Sequence, residues 1–272
     1  MLHRLRFAKN FGRQKAALGV YVIEWPLIYA TFYGCKNEMQ PNLAARLDAN
    51  AYICTKFQIM KIGAIITGDI VDSTKMVAEE RNSMLRMLQS LPELLLPLTK
   101  IDLEIFRGDS FQIRVGKTVD SLKAALAIRS HIRSFKFAEH NRQWDARLAI
   151  GIGTVEYENG TLATSDGEAY RASGRGLDSI GKYRLTIETP WEEVNKELRV
   201  STAFADDIIT GWTQSQSRVI FQSLTTGLSH AEIGNILGIT RQMVDKALKA
   251  GKEELMNLYF NRFEELIKER IG

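Results

Sequence analysis

The sequence predicts an α+β domain followed by an all-α region, because the spacing of its apolar residues changes in character near the middle of the chain. Between Met60 and Thr189, short apolar runs typical of β-strands alternate with segments whose apolar residues recur at helical spacing. After Pro190 the helical spacing continues without another strand-like run. We therefore expect an α+β domain over 60–189 and a helical domain over 190–272.

The strands and helices of the α+β domain follow one another in a definite order. A strand over Lys61–Ile66 leads to a helix that Pro92 and Pro97 stop, and the strands IDLEIF and SFQIRV then flank a tight turn. A second helix and the strand DARLAIGIG complete a β-α-β-β-α-β order. This is the order of the ferredoxin-like fold, with both helices on one face of an antiparallel sheet. A third helix, EAYRASGRGLDSI, and a last strand, YRLTIE, follow.

Residues 1–59 differ from the rest of the chain in charge and in cysteine content. They hold eight Lys or Arg residues against three Asp or Glu, so the net charge of +4 and the pI near 9.0 originate here. Both cysteines, Cys35 and Cys54, lie in this segment, which excludes a disulfide from the remainder. A glutamate and a proline interrupt its apolar run, which disfavours a membrane or export segment. We interpret 1–59 as an atypical leader, or as a gene-start error with translation beginning at Met60, and expect a cytoplasmic protein.

Two aspartates are predicted to converge at one edge of the sheet. Asp69 follows the first strand and Asp109 lies in the turn between the next two strands, which the fold places beside the first. Paired carboxylates suit Mg²⁺ or Mn²⁺, because hard cations take oxygen ligands. Aspartate beside glycine is also common in turns for conformational reasons alone, so a structural role is the alternative.

Four segments occur in the order of the motifs of class III nucleotide cyclases: ITGDIVDST, EIFRGDSFQIRV, RLAIGIGTV and SDGEAYRASGR. The region 61–188 resembles this class, and most closely the cyclase-like SatD family of bacterial proteins. The resemblance implies that Asp69, Asp109 and the backbone carbonyl of Ile70 hold metal ions. Arg175 matches the arginine that neutralises charge on the transferring group. The resemblance also implies a site formed between two subunits, and hence a homodimer.

The residues that recognise the nucleotide depart from the cyclase pattern. Ile105 and Thr164 occupy the two positions that select a purine base in cyclases, and Arg171 stands where the family has the asparagine that orients the ribose. A late hairpin with a phosphate-binding lysine is missing, since helices follow the last strand. We therefore expect Arg171 and Arg175 to contact a nucleotide effector in a sensing domain. An active cyclase that produces a cyclic nucleotide is the alternative.

Two further patterns favour structural roles. GLDSIGKY, at 176–183, resembles a phosphate-binding loop, but Tyr183 replaces the required Ser or Thr and the segment closes a helix instead of opening one. Arg129, Arg133 and Lys136 share one side of the second helix, which is typical of a solvated helix face. The four histidines show no metal-ligand spacing, which argues against zinc chemistry.

The segment 215–251 has the spacing of a helix-turn-helix. Ser229 caps one helix, Gly238 supplies the turn and Thr240 caps the next helix. Gly234 lies where the two helices must approach closely. In such modules the second helix meets DNA. Base contacts are predicted from Thr240, Arg241, Gln242 and Asp245. Phosphate contacts are predicted from Lys246, Lys249 and Lys252.

The cyclase-like region and the helix-turn-helix together predict a DNA-binding regulatory protein. Its expected partners are DNA and a nucleotide, and no membrane association is expected. The helix pair is only mildly basic, so a protein-interaction module is the non-enzymatic alternative. Apolar residues continue at helical spacing on the terminal helix, where they either pair two subunits or pack within one chain: Leu255, Leu258, Tyr259, Phe263, Leu266 and Ile267.

Overall fold

The structure is a computed structural model that describes residues 61–106, 108–135, 143–155 and 166–272. The predicted leader, with Cys35 and Cys54, lies outside these ranges, as do Lys136 and Thr164. Within the described ranges, no helix is both long and apolar enough to cross a lipid bilayer.

Five strands form one sheet: β1 (Lys61–Ile70), β2 (Ile101–Phe106), β3 (Ser110–Val115), β4 (Ala146–Val155) and β5 (Leu185–Glu188). They lie in the order β2-β3-β1-β4-β5, and all neighbours are antiparallel except β4 and β5, which are parallel. The predicted α+β class is therefore confirmed. The first four strands have the spatial order of the ferredoxin-like β-α-β-β-α-β arrangement, to which β5 adds a fifth strand.

Two element boundaries differ from the sequence prediction. β1 does not end at Ile66 but continues to Ile70, because it pairs with both β3 and β4 over this stretch. Asp69 therefore belongs to the strand, not to the turn after it. Helix α1 (Ala78–Leu94) likewise continues through Pro92, which lies in its last turn, where the missing N–H removes a single helical hydrogen bond.

Three helices cover the two faces of the sheet. α1 and α2 (Ser121–Ser134) pack on one face and form the main hydrophobic core with it, as predicted. α3 (Glu168–Ser179) covers the opposite face, where Ile65 of β1 packs against Ala169. Ile66 belongs to the main core, because successive residues of a strand point to opposite faces.

Helices alone follow β5: α4 (Glu192–Thr210), α5 (Gln214–Thr226), α6 (His230–Leu237), α7 (Arg241–Ala250) and α8 (Glu253–Ile271). The described residues up to Arg270 form one compact unit, and one hydrophobic cluster runs from the sheet into these helices. Most of the apolar residues on α8 pack within the chain. Tyr259, Phe263, Leu266 and Ile267 are buried, whereas Leu255 and Leu258 are exposed.

The boundaries of α6 and α7 are fixed by the residues that the sequence indicates. The side chains of Ser229 and Thr240 each accept a hydrogen bond from the backbone N–H three residues on. Gly238 ends α6 with a φ of 68°, a conformation that favours glycine. A Cβ on Gly234 would lie 2.7 Å from the carbonyl oxygen of Ile239, so the close approach predicted at this glycine is to the turn itself.

A buried ionic network joins the sheet to the helices. Arg129 of α2, which is fully buried, donates to Asp145 at 2.8 and 2.9 Å and to Asp206 of α4 at 2.5 Å. Arg133 and Arg184 also donate to the Asp145 carboxylate, both at 2.6 Å. The predicted solvated face is therefore wrong for Arg129 and Arg133, because aspartates distant in the sequence pair with them in the interior.

His131 makes the contact between α2 and α5 sensitive to pH. Its ring centroid lies 4.6 Å from that of Phe221, and burial lowers the pKa of His131 to about 4. Because this folded-state pKa lies below the ordinary value of 6.5, protonation favours the unfolded chain, and stability is lost as the pH falls from about 6.5 to about 4.

The His131 contact leads to a prediction on acid stability. On lowering the pH from 8 to 5, wild-type protein should lose about 2 kcal/mol of unfolding free energy through His131, a loss that His131→Phe should not show. Urea unfolding of both proteins at the two pH values measures this difference. An equal pH dependence in the two proteins would exclude His131 as its source.

Candidate functional site

The end of β1, the turn between β2 and β3, and the loop before β5 enclose a cavity of about 530 Å³. Asp69, Ile70 and Asp109, the predicted metal ligands, all line it, so the structure brings these three residues together. The turn that carries Asp109 is tight, and Gly108 has a φ of 82° in it. The side chains that share the cavity include Asp72, Ser73, Arg147, Lys182, Tyr183 and Arg184.

Both predicted carboxylate ligands have partners from the chain itself. β4 places Arg147 directly opposite Asp69 in the antiparallel register. The guanidinium of Arg147 donates to both carboxylate oxygens of Asp69, with Nε 3.0 Å from Oδ1, and these bonds raise the pKa of Arg147. The Asp109 carboxylate accepts a hydrogen bond of 2.7 Å from the hydroxyl of Ser73.

The donors fit a hard divalent cation in kind, since two carboxylates and the Ile70 carbonyl are oxygen ligands. Within the described ranges, no group of three or more His, Cys, Asp or Glu side chains is arranged to hold a metal ion. A cation that used both oxygens of Asp69 would have to displace Arg147. Mg²⁺ or Mn²⁺ at Asp69, Ile70 and Asp109 therefore stays a prediction, in which the ion would contribute positive charge opposite an anionic ligand.

The two predicted nucleotide-binding arginines do not line this cavity. Arg175 lines a second cavity, of about 250 Å³, together with Glu188 and Thr189. Burial raises the pKa of Glu188, although the positive charge of Arg175 opposes this shift. Arg171 lies on the exposed side of α3 and forms an ion pair of 2.7 Å with Asp166. Within one chain, the aspartates and these arginines therefore belong to different places, and a site shared by two subunits stays a prediction.

Two basic residues of the larger cavity, Lys182 and Arg184, are not among the predicted ligand contacts, and Lys182 belongs to the segment 176–183, for which the sequence favours a structural role. Both lie in the loop after α3, where Gly181 has a φ of 61°, and both line the cavity with the aspartates. The segment does close a helix, as the sequence predicted. The position of Lys182 and Arg184 depends on the direction of β5: because β5 is parallel to β4 and β4 is antiparallel to β1, the loop entering β5 lies beside the end of β1.

The helix pair α6 and α7 is a second candidate site, and it presents most of the predicted DNA-contacting residues to solvent. Val244 and Leu248 bury one face of α7. A set of polar and basic residues on the first turn and on the outer side of α7 is exposed: Thr240, Arg241, Gln242, Lys246 and Lys249.

Asp245 differs from the other predicted DNA contacts because its carboxylate is already engaged within the chain. One oxygen lies 2.5 Å from Nδ1 of His230 at the start of α6, and the other lies 3.8 Å from Nε of Arg241. The pair with His230 ties the start of α6 to the middle of α7. A base contact from Asp245 would require an exchange of this partner.

The comparisons with known proteins leave the family open. No protein-family model and no curated protein matches the chain. Among solved structures, the chain is similar to the active GGEEF domain of a diguanylate cyclase from Vibrio cholerae, with 18% sequence identity and a TM-score of 0.34. The match covers 55% of this chain and 91% of that chain. At this identity and TM-score, no residue role transfers from that domain to this chain.

Proposed function

We propose that this chain is a DNA-binding regulatory protein in which α6 and α7 act as a helix-turn-helix and the α+β part senses a small ligand. The observation that carries the proposal is the exposed first turn of α7, capped by Thr240 and bearing Arg241 and Gln242. Arginine and glutamine side chains at the start of such a helix can hydrogen-bond to base edges in the major groove.

The remaining exposed residues of α7 support the same mode of binding. Gln242, Lys246 and Lys249 recur at a spacing of four and three residues, so they share one exposed face, while Val244 and Leu248 hold the other face in the core. Two lysines beside a base-reading turn suit contacts to the phosphates that flank the bases. The caps and the glycine turn fix the angle at which this face is presented.

For the sensing part, we propose a nucleotide effector, with Mg²⁺ or Mn²⁺ at the aspartates, in a homodimeric cytoplasmic protein. The shared cavity of Asp69, Ile70 and Asp109 supports the ligand site. The buried network from Arg184 through Asp145 and Arg129 supports communication with α4. A homodimer would present two α7 helices to two half-sites of DNA.

DNA binding can be tested without knowledge of the operator. Selection from a pool of random duplexes should enrich a sequence, and Arg241→Ala should weaken binding to that sequence about 10-fold to 100-fold, because a bidentate base contact is lost. The double variant Lys246→Ala with Lys249→Ala should weaken binding to all duplexes and lower the salt slope by about 2. Fluorescence anisotropy at several salt concentrations measures both effects.

The matched control for DNA binding is Arg199→Ala, which removes the same charge from an exposed position on α4. It should bind the selected duplex as wild type does. Absence of any enriched sequence would contradict DNA recognition. Unchanged affinity in Arg241→Ala would remove the assignment of this residue to a base contact.

An active class III-type cyclase is the second candidate, favoured by a cavity that both Asp69 and Asp109 line. The position of Arg171 and Arg175 outside that cavity weighs against it within one chain. Incubation with each nucleoside triphosphate and Mg²⁺ or Mn²⁺ separates the two candidates. A cyclic product that disappears in Asp109→Asn would establish the enzyme, and the lack of any such product would leave the regulator or a protein-interaction module.

A further inference from the structure

We infer that the cavity of Asp69 and Asp109 binds a phosphoryl-bearing anion through Lys182 and Arg184, which approach it from the loop between α3 and β5. This assignment rests on the proposed function only in taking the α+β part as the sensing domain, and it names the chemistry of the ligand. It places the anion-binding groups at Lys182 and Arg184, not at Arg171 and Arg175.

The charges that line the cavity favour an anion in spite of its three aspartates. Two of those carboxylates already have cationic partners, since Asp69 pairs with Arg147 and Asp72 lies 2.9 Å from Lys75. The third carboxylate, that of Asp109, accepts a hydrogen bond from Ser73. Lys182 is therefore the cation of the cavity lining that has no carboxylate partner among the described residues, whereas Arg184 is shared with Asp145.

Lys182 is exposed at the mouth of the cavity and lies beside an aromatic ring. Its ammonium is 5.5 Å from the ring centroid of Tyr183, and within the described residues it forms no ion pair. An ammonium on a flexible stem can follow a phosphoryl oxygen without a large rearrangement of the chain. Gly181, in the left-handed region, sets the turn that brings this lysine to the cavity.

Arg184 is half-buried and is shared between the cavity and the buried ionic network. One of its terminal nitrogens donates to Asp145 at 2.6 Å, and its backbone N–H donates to Asp206 of α4 at 2.9 Å. Guanidinium groups bind phosphoryl oxygens in a fork, so a ligand would compete with Asp145 for this side chain. Asp145 would keep Arg129 and Arg133 as partners, which makes the exchange feasible.

This shared arginine gives the cavity a direct path to the helices. A ligand that draws the Arg184 side chain away from Asp145 changes the charge balance around Arg129, whose other carboxylate partner is Asp206 of α4. The backbone bond from Arg184 to Asp206 keeps the loop attached to α4 throughout. Occupancy of the cavity would thus act on the helix that leads into α5, α6 and α7.

Isothermal titration calorimetry with inorganic pyrophosphate, in the presence and absence of MgCl₂, tests the site on the full chain. Wild-type protein should bind pyrophosphate saturably in at least one condition, and Lys182→Ala and Arg184→Gln should each weaken binding at least tenfold. Lys117→Ala is the matched control, because Lys117 is exposed outside the cavity and its side chain makes no capping bond. Its affinity should equal that of wild type.

Two further titrants identify the source of the phosphoryl group. A nucleoside triphosphate that binds more tightly than pyrophosphate indicates a nucleotide, whereas equal affinities indicate that the phosphoryl groups carry the recognition. Adenosine, which has no phosphate, should not bind. No binding of pyrophosphate or triphosphate in either condition, or binding of adenosine as tight as that of triphosphate, would overturn the assignment.

Unchanged affinity in Lys182→Ala would also overturn it. Lys182 lies outside the buried network, so its variant decides the question even where Arg184→Gln impairs folding. No DNA is present in the titration, so failure of the ligand site and failure of DNA binding are observed separately.

Discussion

Replacing Asp145 with Asn should lower the free energy of unfolding by about 3–5 kcal/mol, the loss typical of breaking a buried ion pair from one side. The Asp145 side chain is 2% exposed and accepts hydrogen bonds from Arg129, Arg133 and Arg184. Asparagine keeps the shape but not the charge. Three guanidinium groups would then face a single carboxylate, that of Asp206.

The effect of Asp145→Asn should depend on pH in a defined direction. Burial raises the pKa of Asp145, but the hydrogen bonds and charges of the three arginines outweigh burial and hold it below its ordinary value. A carboxyl with a depressed folded-state pKa stabilises the fold above its unfolded pKa, near 4, and less as the pH falls below that value. The difference between wild type and variant should therefore be full at pH 7 and shrink in acid.

Asp102→Asn is the matched control for this substitution. Asp102 also accepts two hydrogen bonds from an arginine, Arg114, but its side chain is 40% exposed. Solvent screens such a pair, so the expected loss is at most about 1 kcal/mol. Urea unfolding followed by circular dichroism measures both variants at pH 7. Equal losses in the two would show that burial does not make the Asp145 network special.

The buried network also bears on how the sheet and the helices unfold. It ties α2, the residue before β4 and the residue before β5 to Asp206 of α4. Arg133 adds hydrogen bonds of 2.7 Å to the backbone carbonyls of Thr210, the last residue of α4, and Trp212, in the link to α5. Polar groups buried in this way lose their partners if either part separates, so we expect the sheet and helices to unfold in one transition.

The network also shows why the sequence predicted some features and not others. Ser229, Gly238 and Thr240 were found because caps and turns depend on residues within a few positions of one another. The four-residue spacing of Arg129 and Arg133 fits an exposed helix face as well as a buried one. Asp206, one of the two carboxylate partners of Arg129, lies 77 residues from it, a pairing that helical spacing does not contain.

The candidate ligand cavity likewise has features that the sequence predicts and features that it does not. The convergence of Asp69 and Asp109 follows from strand order, which hydrophobic patterns predict. The pairing of Asp69 with Arg147 requires the register between β1 and β4, and the presence of Lys182 and Arg184 requires the direction of β5. Neither register nor the direction of a short last strand is encoded in a local pattern.

Gly151→Ala should lower the free energy of unfolding by about 3 kcal/mol, at the upper end of the range for overpacking a close-packed contact. An added Cβ would lie 2.2 Å from the carbonyl oxygen of Ala169 and 2.4 Å from the backbone nitrogen of Ser173, both in α3. Backbone atoms of a helix cannot rotate away, so α3 would have to move off the sheet. That movement would also strain the 2.8 Å hydrogen bond between the hydroxyls of Thr67 and Ser173.

Gly174→Ala, a substitution within α3 itself, should have the opposite effect on the free energy of unfolding. Among the described residues, no atom outside the helix's own backbone and the adjacent residues lies within 4 Å of a Cβ added at Gly174, and alanine in a helix interior is favoured over glycine by about 0.5–1 kcal/mol. This variant should therefore be more stable than wild type, while Gly151→Ala is less stable, as measured by urea unfolding under identical conditions. A stable Gly151→Ala would mean that α3 does not rest on β4 as closely as these distances require.

Because α3 ends in the loop that carries Lys182 and Arg184, its displacement in Gly151→Ala should also weaken pyrophosphate binding, whereas Gly174→Ala should leave that affinity unchanged.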